Sequence, residues 1–180
     1  MVNRYNAAAR DSGLTPEQAH AVVGDICLED GIPDALLDLE YFDFDLAAIS
    51  LGFHHFDSPP LALKRLAERL KVGSGVLIII DFLPREGEEH GGSGGRGNHV
   101  HQSHSASARS HGSVHHGGHG HAIPTSGFTE LVLKQLYEDA GVGEDFKFEI
   151  LADPAIMGDF EGAPQRQLFI AKGRREAAKL

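Results

Sequence analysis

The sequence predicts an α/β domain whose sheet is mostly parallel and is closed by an antiparallel strand pair near the C-terminus. Three observations predict it. The run from Asp45 to Leu51, an aspartate followed by mostly apolar residues, reads as a buried parallel strand, and Gly52-Phe53-His54-His55-Phe56 reads as its exit into a cleft. A second apolar run, Gly75 to Asp81, lies one amphipathic helix further on, so the two runs and the helix form a single βαβ crossover. Towards the end of the chain, Phe146 to Leu151 and Gln167 to Ala171 are strand-like runs with no helix between them, which suggests an antiparallel edge pair. In open α/β sheets ligands sit at the C-terminal ends of the parallel strands, so the exit after Leu51 is where function is expected.

Composition bounds the reading. At 180 residues with 41% apolar content, the chain is expected to be a single domain with enough apolar material for a core. The formal net charge of −10 is spread along the chain, so no nucleic-acid partner held through phosphates is expected, and a small uncharged or cationic ligand fits better. The longest apolar run, Val76 to Ile80, is too short to span a bilayer, and residues 1–15 contain no signal-peptide core. No membrane partner is expected, and a cytoplasmic location is. Cys27 is the single cysteine, which excludes an internal disulfide and suits a reducing compartment.

Taken in order, Met1 to Arg10 carries Val2, Tyr5 and Ala9 at helical spacing, with Gly13 as the residue that ends the helix. No capping residue precedes Met1, as expected of a chain cut from something longer. Leu14-Thr15-Pro16-Glu17 is a turn, and Ala19 to Val23 reads as a short strand ending at Gly24-Asp25; by themselves those two residues also read as a simple turn. Gly31 to Tyr41 is a connector with one or two helical turns and Pro33 near its start. After the central strand, Ser58 is the expected N-cap with Pro59 at the first helical position, and Leu63, Leu66, Ala67 and Leu70 form an apolar stripe. Lys64, Arg65, Glu68 and Arg69 are expected on the solvated face.

Between residues 86 and 122 the composition changes abruptly. Nine of the twelve histidines fall between His90 and His121, mixed with nine glycines and almost no apolar residues, so no packed core can form there. A disordered surface insertion within the domain is expected. His115 and His119 have the spacing of two metal ligands on one helix turn, but Gly117 and Gly118 weaken such a helix and no cysteine stands nearby. Adventitious binding of zinc, nickel or copper competes with a plain linker, and no dedicated metal site is expected. Order is predicted to return at Ile123-Pro124-Thr125-Ser126-Gly127-Phe128, with Thr129 as the N-cap and Phe128 able to staple to Leu133. There, Leu133, Leu136, Tyr137 and Ala140 stripe a helix closed by Gly141. Residues 152–165 form the connection between the last two strands.

The stretch Phe44 to Leu83, FDLAAISLGFHHFDSPPLALKRLAERLKVGSGVLIIIDFL, resembles the fourth strand, following helix and fifth strand of class I S-adenosylmethionine-dependent methyltransferases. Ser74 stands where that family has the first glycine after "K-P-G", and Val72 where it has the proline. The run Met1-Val2-x-x-Tyr5-Asn6 is similar to the family's helix after the second strand, and Gly127-Phe128-Thr129-Glu130 opens a helix like the one before its last two strands. The resemblance implies a partial Rossmann-like methyltransferase fold with the His/Gly insertion in a loop, and S-adenosylmethionine as cofactor. It implies Ala19 to Val23 as the third strand, with Gly24 and Asp25 at its end. Asp25 would then stand beside the adenine amine, which an acceptor-only carboxylate suits, with Ile26 against the ring. Ser50, Leu51 and His54 would line the mouth where the methyl moves. The family's first two strands and glycine-rich loop have no counterpart here, which would leave Asp45 to Leu51 with an unpaired apolar edge and a site for self-association.

His54 and His55 carry two readings. An imidazole at a strand exit can take a proton from the methyl acceptor, or it can shape and pack the site, since methyl transfer from a sulfonium depends mainly on in-line approach. Two functions from different classes are consistent with the sequence. One is methyl transfer to a small-molecule or protein acceptor. The other is a non-catalytic interaction or adventitious metal-binding protein. The terminal Ala178-Lys179-Leu180 resembles a peroxisomal address, the alternative to the cytoplasm.

Overall fold

The computed structural model describes residues 1–28, 31–85 and 127–178. The His/Gly-rich stretch from 86 to 122, its His115 and His119, and the last two residues of the C-terminal tripeptide lie outside them.

Helix α1, Val2–Asp11, ends as its sequence requires. Gly13 takes φ +79°, and the amides of Gly13 and Leu14 return to the carbonyls of Arg10 and Ala9. The next segment differs from expectation: Ala19 to Val23 forms no strand. A strand needs a neighbour, and no described strand lies beside this one. The segment is instead pinned by one side chain, because Asn6 Nδ2 donates to Ala21 O at 3.0 Å and Asn6 Oδ1 accepts from Ala21 N at 2.7 Å. The amide of asparagine thus stands in for a backbone partner at that residue.

The connector forms two short 3₁₀ turns, Asp34–Leu36 and Leu39–Tyr41, the first opened by Pro33. Strand β1, Leu46–Ser50, then pairs parallel with β2, Val76–Phe82, from Leu46↔Val76 to Ser50↔Ile80. Between them α2, Pro59–Glu68, makes the crossover with Ser58 at its N-cap and Pro59 at its first position. Beyond α3, Glu130–Asp139, come β3, Glu144–Ile150, and β6, Leu168–Arg174. The connection between them carries a small two-stranded ribbon, β4 Ala155–Ile156 with β5 Gln165–Arg166. The main sheet has the order β1-β2-β6-β3, with β6 antiparallel to both neighbours. The sheet is therefore mixed, with one parallel and two antiparallel pairings, rather than mostly parallel. The further strand expected of the sheet, Ala19 to Val23, did not form.

One face of the sheet carries the core. Leu77 and Ile79 of β2 and Phe169 and Ala171 of β6 are fully buried against Leu63 and Ala67 of α2 and Leu133 and Tyr137 of α3. Tyr137 fits because Gly173 has no side chain: a Cβ there would meet the Tyr137 ring at 2.7 Å. Its hydroxyl donates to Ala171 O at 3.2 Å, and burial raises its pKa well above the ordinary phenol value. The opposite face is open. Leu46, Ala48 and Ser50 of β1 are exposed there, and β1 itself forms one edge of the sheet, so the strand expected to be buried is half-exposed.

Two arginines of the α2 region depart from the expected solvated face. Arg65 and Arg69 are buried, and both point at the strandless segments that precede β1. Arg65 Nη1 donates to Ile26 O at 2.7 Å; Arg69 Nη1 donates to Leu36 O and Tyr41 O at 3.0 Å each while its guanidinium lies 4.9 Å from the centre of the Phe42 ring. Spaced four apart, they share one flank of the helix, and each supplies one guanidinium nitrogen as donor to carbonyls that have no strand partner. Burial lowers the Arg69 pKa from its ordinary value, and Arg69 Nη2 is the one buried side-chain polar atom among the described residues without a partner. Arg69→Lys should cost about 1–2 kcal/mol, since an ammonium on a shorter stem loses the planar contact over Phe42 and reaches less far towards the two carbonyls. Urea denaturation monitored by circular dichroism measures it.

Candidate functional site

The exit of β1 is built by a tight change of direction. Leu51 takes φ +55°, held there by its own amide, which donates to Ile80 O at 2.8 Å. For a residue with a Cβ this left-handed conformation costs about 1 kcal/mol, and such outliers gather where a loop must present side chains. Gly52 then opens a 3₁₀ turn, Phe53–His55. Phe53 drops into the core and is fully buried, with its ring 4.8 Å from Phe128 and 5.8 Å from Phe56. That anchor fixes the orientation of the two histidines after it.

His54 meets Asp81 from the end of β2. The His54 Nδ1 lies 2.6 Å from Asp81 Oδ1, the His54 amide donates to Asp81 Oδ2 at 3.0 Å, and the Phe82 amide donates to Asp81 Oδ1 at 2.8 Å. Asp81 is fully buried and His54 keeps only 10% of its side chain exposed. A buried carboxylate is tolerated when donors surround it, and here three do. The sequence singles out His54 and His55 and leaves Asp81 unremarked as a site residue. Its signal is nonetheless present, because Asp81 continues the alternation of Leu77 and Ile79 and so has to point to the covered face. The neighbouring His55 is less enclosed, and its ring stands 4.0 Å from that of His54. Ser50 and Leu51 are exposed at this end of the sheet.

The other expected site residues, Gly24, Asp25 and Ile26, form a turn rather than the end of a strand. Asp25 Oδ1 accepts from Cys27 N at 2.7 Å, closing the turn, while the residue itself stays exposed. Ile26 is half-buried against the core, with its carbonyl held by Arg65. Cys27 faces the backbone of Ser58, and burial raises its thiol pKa, with the carboxylates of Asp25 and Asp57 adding to the rise. The turn is thereby held beside the N-terminus of α2, at the foot of the loop that carries His54. Among the described residues, no group of three His, Cys, Asp or Glu side chains could hold a metal ion. No helix among them is long and apolar enough to cross a membrane.

No protein-family model matches the chain, and no curated protein matches it. Among solved structures it is similar to the crystal structure of a SAM-dependent methyltransferase from Aquifex aeolicus, with 16% identity and a TM-score of 0.47. The match covers 96% of this chain and 62% of that one, so the chain spans less than two thirds of that protein's length.

Proposed function

We propose that the chain is an S-adenosylmethionine-dependent methyltransferase domain acting on a small-molecule or protein acceptor. The observation that carries the reading is the placement of two motifs: the Gly24-Asp25-Ile26 turn stands beside the N-terminus of α2, and the loop entering that helix carries the β1 exit, Ser50 to His55. These are the segments that resemble the adenine-side and methyl-side motifs of class I methyltransferases. The polar groups fit the cofactor. Asp25 has a carboxylate oxygen left after the Cys27 amide is satisfied, which suits the adenine amine, and half-buried Ile26 offers an apolar surface for the ring. Ser50, Leu51 and His54 would border the methyl group. The cofactor supplies an electrophilic methyl on a sulfonium, and the residues around it orient the acceptor and exclude water.

The test is calorimetric titration of the chain with S-adenosylmethionine and its demethylated product after chelation of metals. Saturable binding that Asp25→Ala weakens by about tenfold, the loss of roughly one hydrogen bond to a charged group, is expected. Because Cys27 lies against the same turn, either ligand should also slow alkylation of its thiol. Binding unaffected by Asp25→Ala, or ligand that leaves Cys27 equally reactive, would place the cofactor elsewhere.

A second reading has its own observation. The open edge and outer face of β1, with Leu46 53% exposed, suit an interaction domain that joins a further strand. A folded chain that binds neither nucleoside but associates through this edge would favour it.

A further inference from the structure

We propose that His54 is the general base of the transfer and that the acceptor is therefore a hydroxyl compound, a phenol or an alcohol, whose proton must leave as the methyl arrives. The inference rests on the methyltransferase reading and adds to it a base, a positioning residue and a substrate class. The geometry of the pair supports it. A carboxylate can only accept, so the close approach of His54 Nδ1 to Asp81 Oδ1 places the ring proton on Nδ1. In the neutral ring the lone pair then sits on Nε2. That nitrogen makes no hydrogen bond among the described residues, and the side chain keeps 10% of its surface exposed. The ring is thus held at one nitrogen and has no partner among the described residues at the other, at the C-terminal end of the parallel strands.

The chemistry needs that arrangement for some acceptors and not for others. A carboxylate is already ionised, a thiol ionises readily and a neutral amine attacks through its lone pair before it loses a proton, whereas a hydroxyl is a poor nucleophile until its proton is removed. In the step, the acceptor oxygen forms its bond to the methyl carbon and the carbon–sulfur bond breaks, its electrons leaving with sulfur as a neutral thioether. The acceptor O–H bond breaks, and its proton goes to His54 Nε2. Asp81 does not touch the acceptor. It is a positioning residue that fixes the tautomer and stabilises the imidazolium formed. His55 stands beside His54 with no carboxylate partner among the described residues, so no such partner fixes its tautomer.

The experiment uses the full chain in three arms. Titration with the demethylated cofactor product asks whether the cofactor site exists. Nuclear magnetic resonance of chain labelled with nitrogen-15 histidine, in alkaline buffer, asks which His54 nitrogen carries the proton. Transfer of labelled methyl to a panel of phenols, alcohols, thiols and amines asks for the acceptor class. His54→Asn is the informative variant, because its amide nitrogen replaces Nδ1 as donor to Asp81 and preserves the fold while removing Nε2. The expected result is product binding within about threefold of the wild type, and transfer to a hydroxyl acceptor reduced by about 10² to 10⁴. The Nδ1–H tautomer is expected, with its proton resonance moving upfield in Asp81→Asn as the charged acceptor becomes neutral. Product binding together with unreduced transfer by His54→Asn, with an Nε2–H tautomer, or with transfer only to thiols and amines or to none of the panel, overturns the assignment of the base. Absence of product binding by folded wild type overturns the methyltransferase reading and this inference with it.

Discussion

Asp81→Ala should lower the stability of the chain by about 3–5 kcal/mol, because it removes the buried acceptor of three hydrogen bonds. The carboxylate is fully buried and accepts from two backbone amides and one imidazole nitrogen. Removing it strands the amides of His54 and Phe82 without an acceptor, each costing about 1–3 kcal/mol if water cannot reach it. It also frees the imidazole that holds the β1 exit against the end of β2. Asp81→Asn should cost less, because the amide oxygen can still accept at one side, although its NH2 group then faces the His54 amide as donor against donor. Guanidinium denaturation of the three chains, with the order wild type, Asn, Ala, measures this. An alanine variant within about 1 kcal/mol of wild type would mean that Asp81 is not the acceptor for these groups.

Phe53→Ala should cost a similar amount, about 3–5 kcal/mol, and lower the melting temperature by on the order of 10 °C. The ring is fully buried and lies between Phe56 and Phe128, so the truncated side chain leaves a cavity in the part of the core that supports the 3₁₀ turn. The two variants differ in what they do to the site. Phe53→Ala leaves the His54 and Asp81 groups present but loosens the turn that aligns them, so a ligand that binds at the β1 exit should lose affinity in proportion to the disorder of the turn. Phe53→Leu, which refills most of the volume, should recover more than half of the lost stability. Differential scanning calorimetry of the three chains separates the cavity term from any wider unfolding.

The β1-α2-β2 crossover is legible in the sequence because its signals are local. Apolar runs, a Ser-Pro helix start and a stripe at Leu63, Ala67 and Leu70 decide it within a short stretch, and the structure places α2 and β2 close to where those signals fall. The Gly141 terminus is equally plain: the Gly141 and Val142 amides return to the carbonyls of Glu138 and Tyr137. Ala19 to Val23 fails for the opposite reason. A strand is defined by its neighbour, and nothing in a short apolar-leaning run states whether a neighbour exists. The cost of that failure appears elsewhere in the chain, as the double hydrogen bond between Asn6 and Ala21 and the inward turn of Arg65 and Arg69. Charge suggests solvent for both arginines, and the carbonyls of Ile26, Leu36 and Tyr41 decide otherwise.

The site is half legible. His54 stands out as an imidazole at a strand exit, but its partner lies 27 residues further along the chain, and only the parallel register Ser50↔Ile80 brings the two ends together. Gly24, Asp25 and Ile26 lie beside α2 as a turn tied to Cys27 and Arg65, where the resemblance implies a strand end. The different roles of His54 and His55 cannot be read from two adjacent identical letters; the turn Phe53–His55 brings one to the carboxylate and leaves the other without it.

The proposed cofactor site joins the Gly24 to Cys27 turn to the Ser50 to His55 exit. It is tested most directly by recording backbone amide spectra of the nitrogen-15-labelled chain during titration with the demethylated cofactor product. Saturable shifts are expected at residues 24–27 and 50–55, with matching midpoints and with the Phe82 amide following through Asp81. Shifts confined to the histidine-rich stretch, or midpoints that differ between the two segments, would contradict it.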